Sequence, residues 1–361
     1  MTLLKPAKGC TDGTRGRHEV KDDLDFDGLA LIAGGHTAFQ LLWAGVQLGV
    51  FALLSKQPGL SRVEITGKIG IQEQPAKILL TGLAALRLVV KEGDAYRNAG
   101  IVEALLSPDS PGNMVDVLGW QHHIVYPAEF DFVDSLKQNR NVGLRYFPGD
   151  EDNLYSRLAR DPHLEKVFHD AMASLSRSAN AILAAQGDLS GIRHLVDAGG
   201  GNGENVITLA RANPHLRLTV FDAPTVCARA RENIDRAGLA DRIGTHPGNF
   251  FVDPFPPDID AILFAHMLTI WSMERNTALL RRAYEALPTG GQVIIFNMMG
   301  NDEETGPMTA ALGSPYFLCI ATGQGMLYPA KDFERMMADA GFKQTRRLSL
   351  PRDHVVLIGV K

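Results

Sequence analysis

The stretch His194-Leu195-Val196-Asp197-Ala198-Gly199-Gly200-Gly201-Asn202-Gly203-Glu204 constrains this chain more than any other. An apolar β-type run feeds a glycine loop, and the loop feeds a helical segment over residues 205–212. Glycine has no Cβ, so Gly199, Gly201 and Gly203 permit a sharp turn and a close backbone approach to a ligand. Apolar runs over 194–197, 217–222, 261–265, 292–297 and 355–360 alternate with helical patterns. The alternation predicts an α/β, doubly wound parallel sheet over residues 188–361, with its ligand at the carboxyl ends of the strands.

Before residue 187 the pattern is mostly helical. Phe39, Leu42, Trp43, Val46, Val50 and Leu53 recur at helical spacing over 36–54, and shorter helices follow over 63–69 and 75–86. Residues 89–97 read as two short strands around Glu92-Gly93-Asp94. Helix, helix, helix, hairpin is the order of a winged helix. Residues 62–97 hold six basic and four acidic side chains, too small a surplus for a DNA-reading surface, so packing or dimerisation is the expected role. Longer helices are expected over 113–136 and 161–186. The chain thus divides into a polar leader (1–27), a helical, winged-helix-like dimerisation and lid domain (28–187) and the sheet domain (188–361).

Composition narrows the partners. With 361 residues, two domains are affordable. The net charge of -5, from 36 Lys and Arg against 41 Asp and Glu, supplies no field for nucleic acid or an anionic membrane. Cys10, Cys227 and Cys319 are widely spaced, which suggests neither disulfides nor a thiolate metal site. The apolar stretch 39–54 is interrupted by Gln40, Gln47 and two glycines, so neither a signal peptide nor a membrane span is expected. A cytoplasmic setting follows.

The ligand is readable from charge. Asp197 closes the strand just before the glycines, where a carboxylate meets an ammonium favourably and repels a pyrophosphate. The spacing is G-x-G-x-G rather than the dinucleotide G-x-G-x-x-G, and Glu204 adds a second negative charge. A cationic, amine-bearing cofactor, S-adenosylmethionine, is the better match. Asp222 ends the next strand, where an acid accepts from ribose hydroxyls; its bland alternative is a helix cap before Ala223-Pro224-Thr225. Asn249 beside Phe250 and Phe251 pairs an amide with aromatic faces suited to adenine.

These segments, with Ala340-Gly341-Phe342, resemble the class I methyltransferases, and more narrowly the O-methyltransferase-like family with an N-terminal winged-helix dimerisation domain. The resemblance implies a homodimer in which the loop at Gly199, Gly201 and Gly203 holds the methionine part. It further implies that Asp222 with Ala223 holds the ribose, and that Asn249 and Phe250 flank adenine. The family usually carries Asp where this chain has Asn249.

The larger departure is catalytic. The family's His-Asp-Trp after the fourth strand, whose His takes the acceptor's proton, is here Thr269-Ile270-Trp271. Threonine has no useful basicity near neutral pH. The acceptor must then be nucleophilic already or be activated otherwise, which favours transfer to carbon or nitrogen of an amino-acid-derived, 2-oxo-acid or aromatic metabolite, leaving S-adenosylhomocysteine. His266 is a candidate relocated base or cofactor contact, the alternative being that it merely packs; Asn297 ends the fifth strand as a polar group able to orient the acceptor. The same absence fits a resemblance to methyltransferase-like azetidine-2-carboxylate synthases, in which the cofactor's own amine attacks its γ-carbon and releases methylthioadenosine. A silent cofactor-binding regulator is the third reading. The expected acceptor pocket is lined by Trp120, His123, Tyr126, Tyr155, Phe168, Met172, Met298, Met308 and Tyr316. No metal is expected, because the adjacent His122 and His123 cannot easily share one ion.

Overall fold

The C-terminal apolar runs bury both faces of their strands, as a sheet covered by helices on each side requires. The structure, a computed structural model, describes residues 24–110, 112–187 and 189–361; the leader up to residue 23, with Cys10, lies outside the described residues. The N-terminal strands are β1 (Leu60–Ser61), β2 (Val89–Glu92) and β3 (Ala95–Asn98). The C-terminal ones are β4 (His194–Ala198), β5 (Arg217–Asp222), β6 (Ile243–Pro247), β7 (Ala261–Ala265), β8 (Gln292–Met298), β9 (Gln344–Ser349) and β10 (His354–Val360).

The large sheet runs β6-β5-β4-β7-β8-β10-β9. Strands β4 to β8 pair parallel. Chain order reverses between neighbours β4 and β7, opening a crevice at their carboxyl ends. The α/β doubly wound class is the one observed, with one correction at its edge: β10 is antiparallel to both β8 and β9. Residues 350–353 alone link β9 to β10, and so short a link admits only a hairpin. Sequence reading missed β9 because all its residues are exposed and show no apolar alternation.

Side chains alternate across β8. Val293 and Ile295 pack with Leu279, Phe333 and Phe342 on one face, and Ile294 and Phe296 pack with Val206 and Leu209 on the other. Each such buried side chain contributes about 2 kcal/mol.

In the N-terminal part, helices Gly35–Gln47, Val50–Lys56, Arg62–Ile69 and Glu73–Ala85 precede the β2–β3 hairpin, and β1 pairs with β3. The single helix expected over 36–54 is therefore two. Gly49 turns the chain at φ +71°, and Phe51 folds back to a point 2.8 Å from where a Cβ on Gly45 would stand. Both halves bury an apolar face, Trp43 on one and Phe51 and Leu54 on the other, so the period continues through the break.

The expected helix over 113–136 is also irregular: Val115–Trp120 is α-helical, Gln121–Val125 is a π-turn, and Tyr126–Ala128 and Phe132–Gln138 follow. Pro127 lacks an N–H and crowds the carbonyl four residues back, which widens the turn. Asp161 caps the helix Pro162–Gln186 by accepting from the N–H groups of His163 and Leu164. This helix packs on both Val115–Trp120 and Glu204–Ala212, linking the helical part to the glycine loop. Despite Gly313 and Pro315, residues Met308–Tyr316 form a helix, and a π-turn, Phe317–Ala321, follows. Pro307 serves as its N-cap, and Gly313 makes room for Leu327, whose Cδ1 stands 2.8 Å from an added Cβ. No single described helix is long and apolar enough to cross a membrane.

Candidate active site

The glycine loop adopts the conformation that only glycine takes without strain: φ is +76° at Gly199, +58° at Gly201 and +82° at Gly203. Asp197, 1% exposed, sits beneath it at the end of β4. Asn205 Nδ2 donates to its Oδ2 at 3.1 Å, while Oδ1 has no partner. Burial above all, with the nearby Asp222 adding to it, pushes the Asp197 pKa up to about 7. A buried carboxylate with an orphaned oxygen beside a left-handed glycine cradle suits a cationic amine.

Asp222 ties the loop to the next strand. Its Oδ2 accepts from Gly201 N–H at 3.0 Å and its Oδ1 from Ala223 N–H at 2.7 Å. Burial raises its pKa and those two donors oppose the rise. The cap of the following helix is Ala223, with no side-chain hydrogen bond, so Asp222 serves the loop rather than the helix. A cavity of about 530 Å³ opens here, lined by Asp222, Ala223, Pro224, Gly248, Asn249, Phe250, Phe251, Asp253, Trp271 and Arg275. Phe250 packs edge-on to Phe221 at 6.2 Å and tilts against Phe251 at 5.0 Å. Asn249 Oδ1 accepts from Phe251 N–H at 3.0 Å, which leaves one lone pair for a ligand.

Sequence reading missed Asp253, Trp271 and Arg275 as members of this wall. The Arg275 guanidinium lies 4.3 Å over the Trp271 ring and 4.7 Å over Phe251. Nothing in the local pattern marks it, because the loops that meet there are remote in the chain.

Thr269 occupies the turn Leu268–Ile270 and is 2% exposed. The turn is clamped: Asn276 Nδ2 donates to Leu268 O at 2.7 Å, and Thr322 Oγ1 donates to Ile270 O. Gly325 lies so close that an added Cβ would stand 1.9 Å from Thr269 O. His266 has a left-handed backbone, φ +54°, and its N–H donates to Phe296 O at 2.9 Å. Its ring packs edge-on to Phe296 at 4.9 Å and His354 at 5.2 Å, with Nε2 enclosed and unpartnered. Burial first, and His354 second, drive its pKa down to about 3. That environment leaves a ring far less basic than free imidazole, which weighs against His266 as the relocated base. Asn297 is 1% exposed at the end of β8, and neither atom of its amide has a partner.

Of the expected pocket residues, Trp120, Tyr155, Phe168 and Tyr316 meet in one cluster around Ile124, Leu154 and Ile320. Trp120 is edge-on to Tyr316 at 5.0 Å and Tyr155 to Phe168 at 5.7 Å. Met172 is half-buried one turn beyond Phe168, and Met298 is half-buried at the end of β8. Three side chains lie elsewhere. Met308 is 76% exposed on the first turn of its helix. Tyr126 is 38% exposed and stacks on Phe39 at 5.5 Å, and His123 packs against Trp43 at 5.8 Å and His163 at 5.3 Å. Both side chains face helix Gly35–Gln47. Among the described residues no three His, Cys, Asp or Glu side chains converge as a metal site.

The geometry agrees with known proteins. An O-methyltransferase domain model matches residues 131–343. The chain is 41% identical to an L-tyrosine C(3)-methyltransferase of Streptomyces lavendulae over 94% of each protein. It is 32% identical to a 3-hydroxy-5-methyl-1-naphthoate 3-O-methyltransferase of Streptomyces sahachiroi, over 91% of this chain and 94% of that one. The crystal structure of the S-adenosylmethionine-dependent methyltransferase SibL in its apo form superimposes with a TM-score of 0.85 at 38% identity, covering 93% of this chain and 99% of SibL. Human N-acetylserotonin methyltransferase, solved with S-adenosylmethionine, shares the fold at a TM-score of 0.79 and 23% identity, over 95% and 99% of the two chains. The chain belongs to the O-methyltransferase family and is an S-adenosylmethionine-dependent methyltransferase.

Proposed function

We propose that this enzyme methylates a ring carbon of a small phenolic metabolite, with a tyrosine-like amino acid as the first candidate. The observation that carries this reading is Thr269, buried in the turn where the family places its proton-accepting histidine. Methylation at a phenol oxygen calls for a base at that oxygen, a role worth about a hundredfold or more. Thr269 and Ile270 supply none, and His266 is a weak base. The 41% identical relative named for carbon methylation of L-tyrosine supports the same direction.

S-adenosylmethionine supplies an electrophilic methyl on a cationic sulfur. In this reading Asp197 and the glycine loop receive its amino-acid end, Asp222 its ribose, and Asn249, Phe250 and the Trp271–Arg275 wall its adenine. Trp120, Tyr155, Phe168 and Tyr316 exclude water around the acceptor, and Asn297 offers it a neutral donor and acceptor. Rate then comes mainly from proximity, alignment and desolvation. We further propose a cytoplasmic location and a homodimer, the dimer being supported by the exposed Phe26, Leu29, Leu31 and Ile32 of helix Phe26–Ala33, which buries none of its residues.

Incubation with S-adenosylmethionine and L-tyrosine, followed by mass spectrometry and NMR of the product, tests the reading. A ring methyl with stoichiometric S-adenosylhomocysteine is expected. Methylthioadenosine formed without any acceptor overturns it in favour of cofactor cyclisation, and an exclusively O-methylated product overturns the choice of carbon.

A further inference from the structure

The loss of the base leaves open how a phenol becomes nucleophilic, and the roof of the site holds an answer. Tyr316 is 6% exposed and its hydroxyl has no hydrogen-bond partner; the indole Nε1 of Trp120 is likewise buried and unpartnered. The two rings touch edge to face at 5.0 Å. The Tyr155 hydroxyl lies beside that of Tyr316. Buried donors left unpaired cost stability unless a ligand satisfies them. The chain just beyond Tyr316 also carries Thr322 and Gly325, the residues clamped on the turn of Thr269 and Ile270. Tyr316 therefore comes from the segment seated on the turn that lost its base, and Trp120 meets it there from helix Val115–Trp120.

We propose that the Tyr316 hydroxyl and the Trp120 indole N–H hold the acceptor's phenolic oxygen as phenolate, replacing the absent base and directing the methyl group to the neighbouring ring carbon. The inference rests on the phenolic acceptor proposed above. Neither donor removes a proton; burial keeps the Tyr316 hydroxyl protonated, with its pKa well above the ordinary value. Instead they stabilise the anion once its proton has gone to water, as preorganised neutral donors do for other oxyanions. An oxygen whose lone pairs are engaged by two donors is a poorer nucleophile. The ortho carbon, which shares the charge, is not shielded. That carbon forms a bond to the methyl as the C–S bond breaks and its electron pair returns to sulfur. The ring proton on the same carbon then leaves to water, regenerating the phenolate; one proton is released per turnover and no oxidant or reductant is needed.

The test compares the wild-type enzyme with Tyr316→Phe and Trp120→Phe. First, 3,5-difluorotyrosine is titrated with enzyme and S-adenosylhomocysteine, and its phenolate absorbance is read. Wild type is expected to hold about tenfold more phenolate at a given pH than solution does, one charge-assisted hydrogen bond's worth. Either variant is expected to lose most of that gain. With L-tyrosine as acceptor, each variant should raise the ratio of O- to C-methylated product and shift the rising limb of kcat/KM to higher pH. A merely structural role of either ring would lower turnover without moving the product ratio. If wild type does not enrich the phenolate, or if folded variants keep ratio and pH profile unchanged, the proposal is overturned. Should Tyr316→Phe not fold, Trp120→Phe and the wild-type absorbance still decide. Enriched phenolate without any methylated phenol would retain the donor set and refute the acceptor reading instead.

Discussion

Asp197 is a carboxylate that the empty protein struggles to keep charged. Its pKa is near 7 in the fold and 3.8 by reference, so burial opposes folding wherever the group must ionise. The folded state binds this proton more tightly, so the favourable protonated form is fully present below about pH 3.8 and is lost as pH rises through about 7. We expect Asp197→Asn to raise the melting temperature of the cofactor-free enzyme at pH 8 and to weaken S-adenosylmethionine binding at least about tenfold. Wild-type cofactor affinity should fall as pH drops through 7, read by calorimetry. Thr269 makes the opposite prediction. Having no proton to accept, Thr269→Ala should lower turnover less than about tenfold, where loss of a true base costs a hundredfold or more. A collapse of kcat with cofactor affinity retained would give Thr269 a chemical role.

At the scale of elements, the site is a set of strand ends tied together by backbone contacts. The clamp between Gly325 and the turn of Thr269 is the tightest of these, since a Cβ at residue 325 would stand 1.9 Å from a carbonyl oxygen. Neither backbone yields cheaply, so Gly325→Ala should destabilise the protein by about 2–3 kcal/mol in urea unfolding and depress kcat as the turn shifts. The outer edge of the sheet is different. β9 is joined to helix Ala330–Ala340 through Arg347, which pairs with Glu334 at 2.7 Å and with Asp302 at 2.6 Å on a part-exposed surface. Such pairs contribute about 1 kcal/mol or less each.

For the whole molecule, helix Phe26–Ala33 is the feature that a single chain does not explain. Its apolar residues are exposed, including Phe26 at 82% and Ile32 at 68%. A second copy covering them gives the expected dimer mass by light scattering, and Leu29→Glu with Ile32→Glu should halve that mass. A wild-type monomer at micromolar concentration would remove the dimer from the proposal.

What the amino-acid order decided by itself is local. The glycines at 199, 201 and 203 dictate a left-handed loop because no other residue takes that backbone freely, and the charge of Asp197 selects the cofactor's sign. The apolar runs of β4, β5, β7, β8 and β10 declare themselves because strands covered by helices carry near-continuous apolar side chains, and the threonine at 269 announces the missing base. The tertiary structure alone decided the rest. Exposure hid β9; back-folding at Gly49 split a helix whose apolar period runs on unbroken; and chain-distant loops brought Asp253, Trp271 and Arg275 to one wall. It also separated Met308, Tyr126 and His123 from the aromatic cluster they were expected to join, since which face of a helix meets a pocket depends on its neighbours. A dihedral preference travels with the residue, whereas burial and an unpaired donor exist only once remote segments have packed.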